Sequence, residues 1–282
     1  MKIALVIAIW KRHDIEKIVI DRFRRQAEKF GFEIIIAGSE GEISKRLAEG
    51  CHYIEATNRP VSNKHNAMTL KAKELDVDGV VVMGSDDMVN DEYWSWLYKN
   101  ATPSENHIIG ITDLYFFSTR TKDLHYWPGY RGSNQTAGAG RFYSRLILEK
   151  FNWKLWREGI NRGLDSSVNA KWPHEKAFTM EESGAFLVDI KHTRNITPDA
   201  IINLCYLTEG DILVEEIGTE DSEKLFELQR NIKRTPDEDD RKFEPGELVM
   251  FESNGNFKPL KKHTEMTIEQ AKLLYNKGFG TY

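Results

Sequence analysis

The sequence is poor in cysteine and lacks long apolar runs, and each shortage excludes a class of protein. Two cysteines in 282 residues, Cys51 and Cys205, allow one disulfide at most, which excludes a disulfide scaffold and favours a reducing cytoplasmic setting. The longest apolar run near the start, Ile3 to Trp10, has eight residues, which is too short to cross a bilayer. No small-residue cleavage site follows this run, so we expect a cytoplasmic protein with no membrane span.

Positive charge is not in excess either. The chain carries 39 Lys and Arg against 44 Asp and Glu, a net charge of −5, so it lacks the basic field that non-specific nucleic-acid binding needs. Hydrophobic residues at 40% and charged residues at 29% are typical of a globular protein. A length of 282 residues fits one large domain, or one domain with an appendage.

Apolar segments of strand length alternate with amphipathic helical patterns, which predicts an α/β fold. Strands are predicted at Ile3 to Ile9, Glu33 to Ala37 and Val80 to Met83, and the helical pattern after the first strand ends at Gly31. The expected architecture is a Rossmann-like mixed, mainly parallel sheet flanked by helices. Aromatic segments at 114–117 and 124–127 are predicted to pair as a hairpin over the same sheet.

The charge balance changes along the chain and predicts a boundary. Residues 1–205 carry 28 basic and 27 acidic residues, a net charge of +1, whereas residues 206–282 carry 11 and 17, a net charge of −6. We expect a catalytic domain over 1–205 and a small α+β appendage over 206–282, with a hairpin around Asn254-Gly255 and a last helix after Thr267. The appendage is expected to contact either the acceptor or a second subunit, the latter giving a homo-oligomer.

The most informative motif is Gly84-Ser85-Asp86-Asp87, which follows the predicted strand from Val80 to Met83. Open α/β sheets bind ligands at the carboxyl ends of their strands, and two adjacent carboxylates there suit a hard divalent cation, Mn²⁺ or Mg²⁺, bridging to phosphate oxygens. The alternative is a surface pair of aspartates that caps the next helix.

The segment Lys64-His65-Asn66 opens the helix that leads into this strand. A lysine at a helix N-terminus adds a cation to the partial positive charge of the free amides, so a diphosphate would find complementary charge there. Asn66 can hold a ribose or a base edge. The alternative is a solvated lysine beside a capping asparagine.

Together, Pro60 to Asn66, Ala72-Lys73 and Gly79 to Asp87 resemble GT-A-fold, family-2-type glycosyltransferases, in which an Arg/Lys-x-Asn helix leads into the strand with the DXD metal motif. The resemblance implies metal-dependent transfer of a sugar from a nucleotide-diphosphate sugar, a UDP-sugar above all, to an acceptor hydroxyl with inversion. It implies that Asp86 and Asp87 hold the metal, with Ser85 beside them on the donor. It assigns Lys64 and Asn66 to the nucleotide.

The sequence departs from the family pattern at two places. Gly84 stands where members usually have an acid, and Ala37-Gly38-Ser39-Glu40 stands where they carry an acid pair after the second strand. Ser39 or Glu40 is expected to replace those acids on the ribose and base. The Trp10 ring is a further candidate for stacking on the base, with a core aromatic as its alternative.

Downstream residues are assigned to the acceptor and to catalysis. Gly138-Ala-Gly140-Arg141 stands where the family carries its glycine-rich acceptor loop and a basic residue. Asp165, which follows this loop as the family's acid does, is predicted to be the general base that takes the acceptor proton. Its alternative role is to cap a short helix.

Aromatic and histidine candidates complete the predicted site. Trp127 and Trp156 are predicted to stack on acceptor sugar faces, with core packing as the alternative. His192, after the strand from Ala185 to Ile190, is expected by the same resemblance to complete the metal shell, with a surface histidine as its alternative.

Two other functions remain open from sequence. One is a non-catalytic nucleotide-sugar-binding module, which the missing acids at Gly84 and Ala37-Gly38 favour. The other is a nucleotidyltransferase, which usually has a glycine-rich loop after its first strand, where this chain reads Ile9-Trp10-Lys11-Arg12.

Overall fold

A computed structural model describes residues 1–130, 135–191, 205–208 and 211–228, together with the backbone of two short strands at 249–251 and 257–259. Contacts divide the chain into two compact units, Met1–Ile232 and Lys233–Tyr282. The predicted His192 lies outside the described residues, as do the Asn254-Gly255 turn and the last helix.

The first unit is built on a seven-stranded sheet whose strands are numbered in chain order. From one edge to the other they are β10 (Glu175–Phe178), β6 (Ile108–Ile111), β9 (Arg141–Ser144), β4 (Gly79–Gly84), β1 (Ile3–Ala8), β2 (Glu33–Gly38) and β3 (His52–Glu55). The strands β1 to β4 run parallel to one another, whereas β9 is antiparallel to both of its neighbours. The predicted mixed, mainly parallel sheet is therefore confirmed.

A second sheet of five strands lies in the same unit. Its order is β12 (Tyr206–Leu207), β8 (Leu124–Trp127), β7 (Leu114–Ser118), β11 (Leu187–Lys191) and β5 (Asp87–Val89). The predicted aromatic hairpin forms as β7 and β8, but it pairs with β11 in this second sheet and not with the main sheet. The predicted hairpin is therefore confirmed, and β11, which follows much later in the chain, extends it into a second sheet.

Nine helices occur among the described residues. They are α1 (His13–Phe30), α2 (Glu42–Leu47), α3 (Val61–Glu74), α4 (Asp91–Asn100), α5 (Arg145–Lys150), α6 (Leu164–Asn169), α7 (Met180–Ser183), α8 (Ile212–Ile217) and α9 (Thr219–Glu227). As predicted, α1 ends at Gly31, whose φ of 75° suits the left-handed C-cap. No helix in the described part of the chain is both long and apolar enough to span a bilayer.

Both faces of the main sheet are covered, which explains why its central strands are apolar throughout. Along β1, Leu5 and Ile7 belong to the core that also contains Phe23 of α1. The alternate residue Val6 belongs to a second core with Met68 of α3. The period of two along β1 thus sends successive side chains to opposite helical layers.

The segment 211–228 belongs to the first unit because it is anchored on α1. Asp221 of α9 is buried, with Oδ2 accepting from Arg22 Nη1 at 2.9 Å and Oδ1 accepting from Arg25 Nη2 at 2.6 Å. The predicted boundary near residue 205 therefore falls inside this unit.

In the second unit, the structure describes the backbone of two short strands. The strands β13 (Val249–Phe251) and β14 (Phe257–Pro259) pair antiparallel.

The ion pairs of Asp221 are expected to contribute to global stability. Asp221→Ala leaves two arginines without their carboxylate, one of them buried, and should lower the free energy of unfolding by about 3 kcal/mol. The neighbouring Glu220→Ala removes an exposed pair with Lys224 and a charge near Arg25, and should leave the free energy of unfolding nearly unchanged. Urea unfolding of both variants measures this difference, and equal effects would contradict the anchoring role of α9.

Candidate functional site

The parallel register of the central strands brings three loops to one edge of the main sheet. Ala8 at the end of β1 lies opposite Ala37 on β2 and Gly84 on β4, so the segments that follow these strands are neighbours. The helix α3 begins at the same edge, since Lys64 reaches the end of β1. We call the polar side chains that meet there the strand-end cluster: Arg12, Ser39, Glu40, Lys64, Ser85 and Asp86.

Lys64 is buried within this cluster. Its Nζ donates to the carbonyl of Ile9 at 3.0 Å, to Ser39 Oγ at 3.2 Å and to Asn58 Oδ1 at 3.2 Å. Burial lowers the pKa of Lys64 to about 8, so the ammonium is mostly charged at neutral pH. The alternative of a solvated lysine is therefore wrong, whereas the predicted contact of Lys64 with a nucleotide remains a prediction.

Arg12 binds Asp86, the predicted metal ligand, although no role is predicted for Arg12 from the sequence. Its Nη1 forms a close ion pair with Asp86 Oδ2, while Nη2 donates to Ser85 Oγ at 2.7 Å and to Asp86 Oδ1 at 3.3 Å. The two side chains are only 13% and 15% exposed. A planar guanidinium matches a carboxylate in this two-nitrogen geometry. The available signal was a basic residue directly after the first strand of a parallel sheet.

Asp87 has different partners from Asp86, because Asp87 begins β5 whereas Asp86 lies in the turn between β4 and β5. Asp87 is buried, its Oδ2 accepts from the Gly84 N–H at 2.6 Å, and it lies opposite Asp189 in the pairing of β5 with β11. Asp189 in turn accepts from Lys191 Nζ at 2.6 Å. Burial and the facing carboxylate raise the pKa of Asp87, and burial raises that of Asp189 to about 6.

The glycine at position 84 follows from this arrangement. A Cβ added at Gly84 would lie 2.7 Å from Asp86 Oδ1 and 2.7 Å from Asp87 Oδ2. Any side chain there would displace a carboxylate, which gives a local reason for glycine where the resembling family has an acid.

Of the side chains predicted to hold a divalent cation, the two that the structure describes, Asp86 and Asp87, do not fit one as they stand. A hard cation needs several carboxylate oxygens directed at one point. Both oxygens of Asp86 accept from Arg12, and an oxygen of Asp87 accepts from the backbone. Over the described ranges, no group of three or more His, Cys, Asp or Glu side chains is arranged to hold a metal ion.

Asn66 and Trp156 contact each other. The Asn66 side chain donates to the Trp156 carbonyl at 2.9 Å and accepts from its backbone N–H at 3.1 Å, and both residues are buried. The Trp156 ring packs against His65 with ring centroids 5.0 Å apart. The structure gives both residues contacts within the protein, and their predicted nucleotide and acceptor contacts remain predictions.

Trp10 and Glu40 shape the loop after β1. Glu40 Oε2 accepts from the Lys11 N–H at 2.8 Å and lies 2.9 Å from His13 Nε2. Trp10 donates its backbone N–H to the buried Glu16 at 2.6 Å, and its ring is half-buried beneath the Lys11 ammonium. Their predicted contacts with the ribose and base remain predictions.

A second group, the Asp165 cluster of Gly138, Arg141 and Asp165, lies beyond the end of β4. Arg141 is buried at the start of β9, where Nε donates to the Ala137 carbonyl at 3.0 Å and Nη1 to Asn169 Oδ1 at 3.0 Å. Asp165 Oδ1 lies 3.8 Å from Arg141 Nη1, and its side chain is 45% exposed. A Cβ at Gly138 would lie 2.4 Å from Asp165 Oδ2, so only glycine lets the loop approach this carboxylate.

The two clusters lie along the same sheet edge. Because β9 runs antiparallel to β4 and Arg141 pairs with Val82, the start of β9 adjoins the carboxyl end of β4, which precedes Asp86. Gly140 is fixed there by its N–H bond to the Val82 carbonyl at 2.8 Å. The predicted acceptor residue Trp127 is on β8, with its half-buried ring 4.9 Å from that of Tyr130.

No protein-family model matches this chain, and no curated protein matches it. Several solved structures are similar in part. A glycosyltransferase involved in glycosylation of the major capsid of PBCV-1 is 12% identical, with a TM-score of 0.43, covering 72% of this chain and 100% of that chain.

A mannosyltransferase from Pyrobaculum calidifontis, in complex with GDP-Man and Mn²⁺, is 11% identical with a TM-score of 0.46, covering 71% of this chain and 59% of that one. The catalytic domain of Drosophila beta1,4galactosyltransferase 7, in complex with xylobiose, is 12% identical with a TM-score of 0.41, covering 70% and 66%.

The buried acid pair predicts a pH-dependent stability. A carboxyl whose folded pKa is raised stabilises the fold fully at low pH, and this contribution is lost as pH rises through the folded pKa. Asp87→Asn removes one of two facing charges and can still accept from the Gly84 N–H. We expect its free energy of unfolding to exceed that of the wild type by about 1 kcal/mol or more at about pH 8, with the gain disappearing below about pH 4, the pKa of an unfolded aspartate.

The control for this prediction is Asp91→Asn, which should behave in the opposite way. Hydrogen bonds and charge from Lys29 and Gln26 lower the pKa of Asp91, although its partial burial opposes them. Its loss should therefore destabilise the protein at about pH 8 and have less effect as pH falls toward the folded pKa. Denaturant titrations at three pH values measure both variants, and a loss of stability in Asp87→Asn at high pH would contradict the prediction.

Proposed function

We propose that this protein is a glycosyltransferase that moves a sugar from a nucleotide-diphosphate sugar to an acceptor hydroxyl, with inversion at the anomeric carbon. One observation carries the proposal. A half-exposed carboxylate, Asp165, stands beside a buried arginine at the same sheet edge as the buried cations Arg12 and Lys64. This edge thus offers a base for a hydroxyl group and positive charge for a diphosphate.

The strand-end cluster is the proposed donor site. When the bond between the anomeric carbon and the diphosphate breaks, negative charge develops on the leaving oxygen, and fixed cations stabilise it most where water is excluded. Lys64 and Arg12 are both largely buried and are held in place by several hydrogen bonds. Ser39, Glu40 and Trp10 follow the adjacent strands and are the proposed contacts of the nucleoside, and a UDP-sugar is the proposed donor.

The Asp165 cluster is the proposed acceptor site. Asp165 would accept the hydroxyl proton as the acceptor oxygen forms its bond to the anomeric carbon, and a single carboxylate base is sufficient for an inverting transfer. Arg141 fixes the position of this carboxylate, since its own guanidinium is held by backbone carbonyls and by Asn169. Trp127 is a candidate surface for a sugar ring. No step in this mechanism uses a metal ion.

A second candidate function is a nucleotide-sugar-binding module without turnover. The Arg12–Asp86 ion pair favours it, because the residue predicted to bind the metal is already paired. Such a module would bind nucleotides but would not release diphosphate from a nucleotide sugar. Turnover therefore separates the two candidates.

Asp165→Asn tests the catalytic assignment. The variant should lower the release of nucleoside diphosphate from a panel of nucleotide sugars by about 100-fold or more, because the amide cannot take a proton. Its affinity for the nucleotide, measured by calorimetry, should be unchanged because the donor cluster is intact.

Glu158→Gln is a matched control, since Glu158 is exposed and pairs only with the exposed Lys154 among the described residues. This variant should keep full turnover. Undiminished turnover in Asp165→Asn would reject Asp165 as the base, and a complete absence of turnover in the wild type across the panel would favour the binding module.

A further inference from the structure

We infer that Arg12 supplies the positive charge that a divalent cation would otherwise supply, so that the strand-end cluster binds a nucleoside diphosphate without a metal. This inference rests on the proposed function and specifies how its donor site works. The observation behind it is that the Asp-Asp motif predicts a metal ion on Asp86, whereas in the structure the guanidinium of Arg12 binds this carboxylate.

The geometry gives Arg12 the position of a cation on Asp86. Its two terminal nitrogens bond both oxygens of this carboxylate and Ser85 Oγ, which are the atoms that the motif assigns to the metal and the donor. Both side chains are mostly withdrawn from water. A metal ion would have to displace the guanidinium and leave its charge without a carboxylate in a site with little water, which is unfavourable.

The guanidinium keeps hydrogen-bonding capacity for a ligand. Within the described part of the chain, its bonds to Ser85 and Asp86 use three of its five N–H groups. The remaining two N–H groups can donate to a phosphate oxygen while the ion pair with Asp86 holds the guanidinium in place. Asp86 is therefore a positioning residue for Arg12 in this arrangement.

The acids that face Arg12 and Lys64 have hydrogen-bond partners of their own. Lys64 contributes a second cation at the end of β1. Glu40 accepts from the Lys11 backbone and contacts His13, and Glu16 accepts from the Trp10 backbone. Asp189, the remaining acid near Arg12, is paired with Lys191.

The test is calorimetric titration of the full chain with UDP and with GDP, in buffer containing EDTA and in buffer containing Mn²⁺. We expect at least one of the two nucleotides to bind in EDTA, with a Kd that Mn²⁺ changes by no more than about twofold. Arg12→Gln should weaken this binding by about tenfold or more, because the positive charge and the paired N–H donors of the guanidinium are both lost.

Arg145→Gln is the matched control. Arg145 also bonds an aspartate, Asp76, but its guanidinium lies at the opposite end of β4, where it donates to the Val77 carbonyl. The Arg145→Gln variant removes the same positive charge as Arg12→Gln and should leave nucleotide binding unchanged. The double variant Arg12→Gln/Asp86→Asn removes both charges of the ion pair. It tests whether the weaker nucleotide binding of Arg12→Gln arises only from the unpaired charge of Asp86. We expect the double variant to bind the nucleotide as weakly as Arg12→Gln.

The possible outcomes separate this inference from the proposed function. The role of Arg12 would be overturned if nucleotide binding required Mn²⁺ and persisted in Arg12→Gln. In that case Arg12→Gln should also bind Mn²⁺ more tightly than the wild type, as measured by electron paramagnetic resonance. This outcome would leave the donor site in place. Failure of the wild type to bind UDP, GDP or their sugars in either buffer would contradict the proposed function itself.

Discussion

The arrangement of the site depends on the parallel pairing of β1 with both β2 and β4. Parallel strands end at the same edge, and here the backbone register sets Ala8 opposite Ala37 and Gly84. Side chains from three separate loops are therefore brought within hydrogen-bonding distance without any of them being near in sequence. This backbone constraint is supported by apolar side chains on both faces of β1, which pack against α1 on one side and α3 on the other.

The polar groups at this edge illustrate how a protein keeps charges away from water. A buried charge is tolerated when a partner of opposite sign or several hydrogen bonds replace its hydration. Arg12 with Asp86, Lys191 with Asp189, and Arg141 with Asp165 and Glu175 follow the first solution. Lys64 follows the second, because its hydrogen bonds to described residues all go to neutral oxygen acceptors. Within the described part of the chain, its ammonium therefore forms no ion pair, which is the property an anionic ligand requires.

The glycines of the site act through space as much as through backbone freedom. Gly84 and Gly138 each face carboxylate oxygens closely enough that a side chain would displace them. The two positions flank the two clusters, so the absence of a Cβ lets the backbone approach the acids Asp86, Asp87 and Asp165. Substitution at either position would alter the position of the acids before it altered the fold.

The sequence by itself determined the alternation of β1, β2 and β4 with their helices, because apolar runs and helical periodicity are local properties, whereas β9 and β10 were not predicted. Asp86 was selected as a polar residue directly after an apolar strand and Lys64 by its place at a helix N-terminus, while Arg141 and Asp165 were assigned by the resemblance to a family. Only the tertiary structure decided which partners these residues have. The pairing of Arg12 with Asp86, the turn of Asp87 toward Asp189, and the use of Asn66 by Trp156 join residues distant in the chain. Such contacts depend on strand register and on which side of an extended segment each side chain faces, and a linear pattern does not specify either.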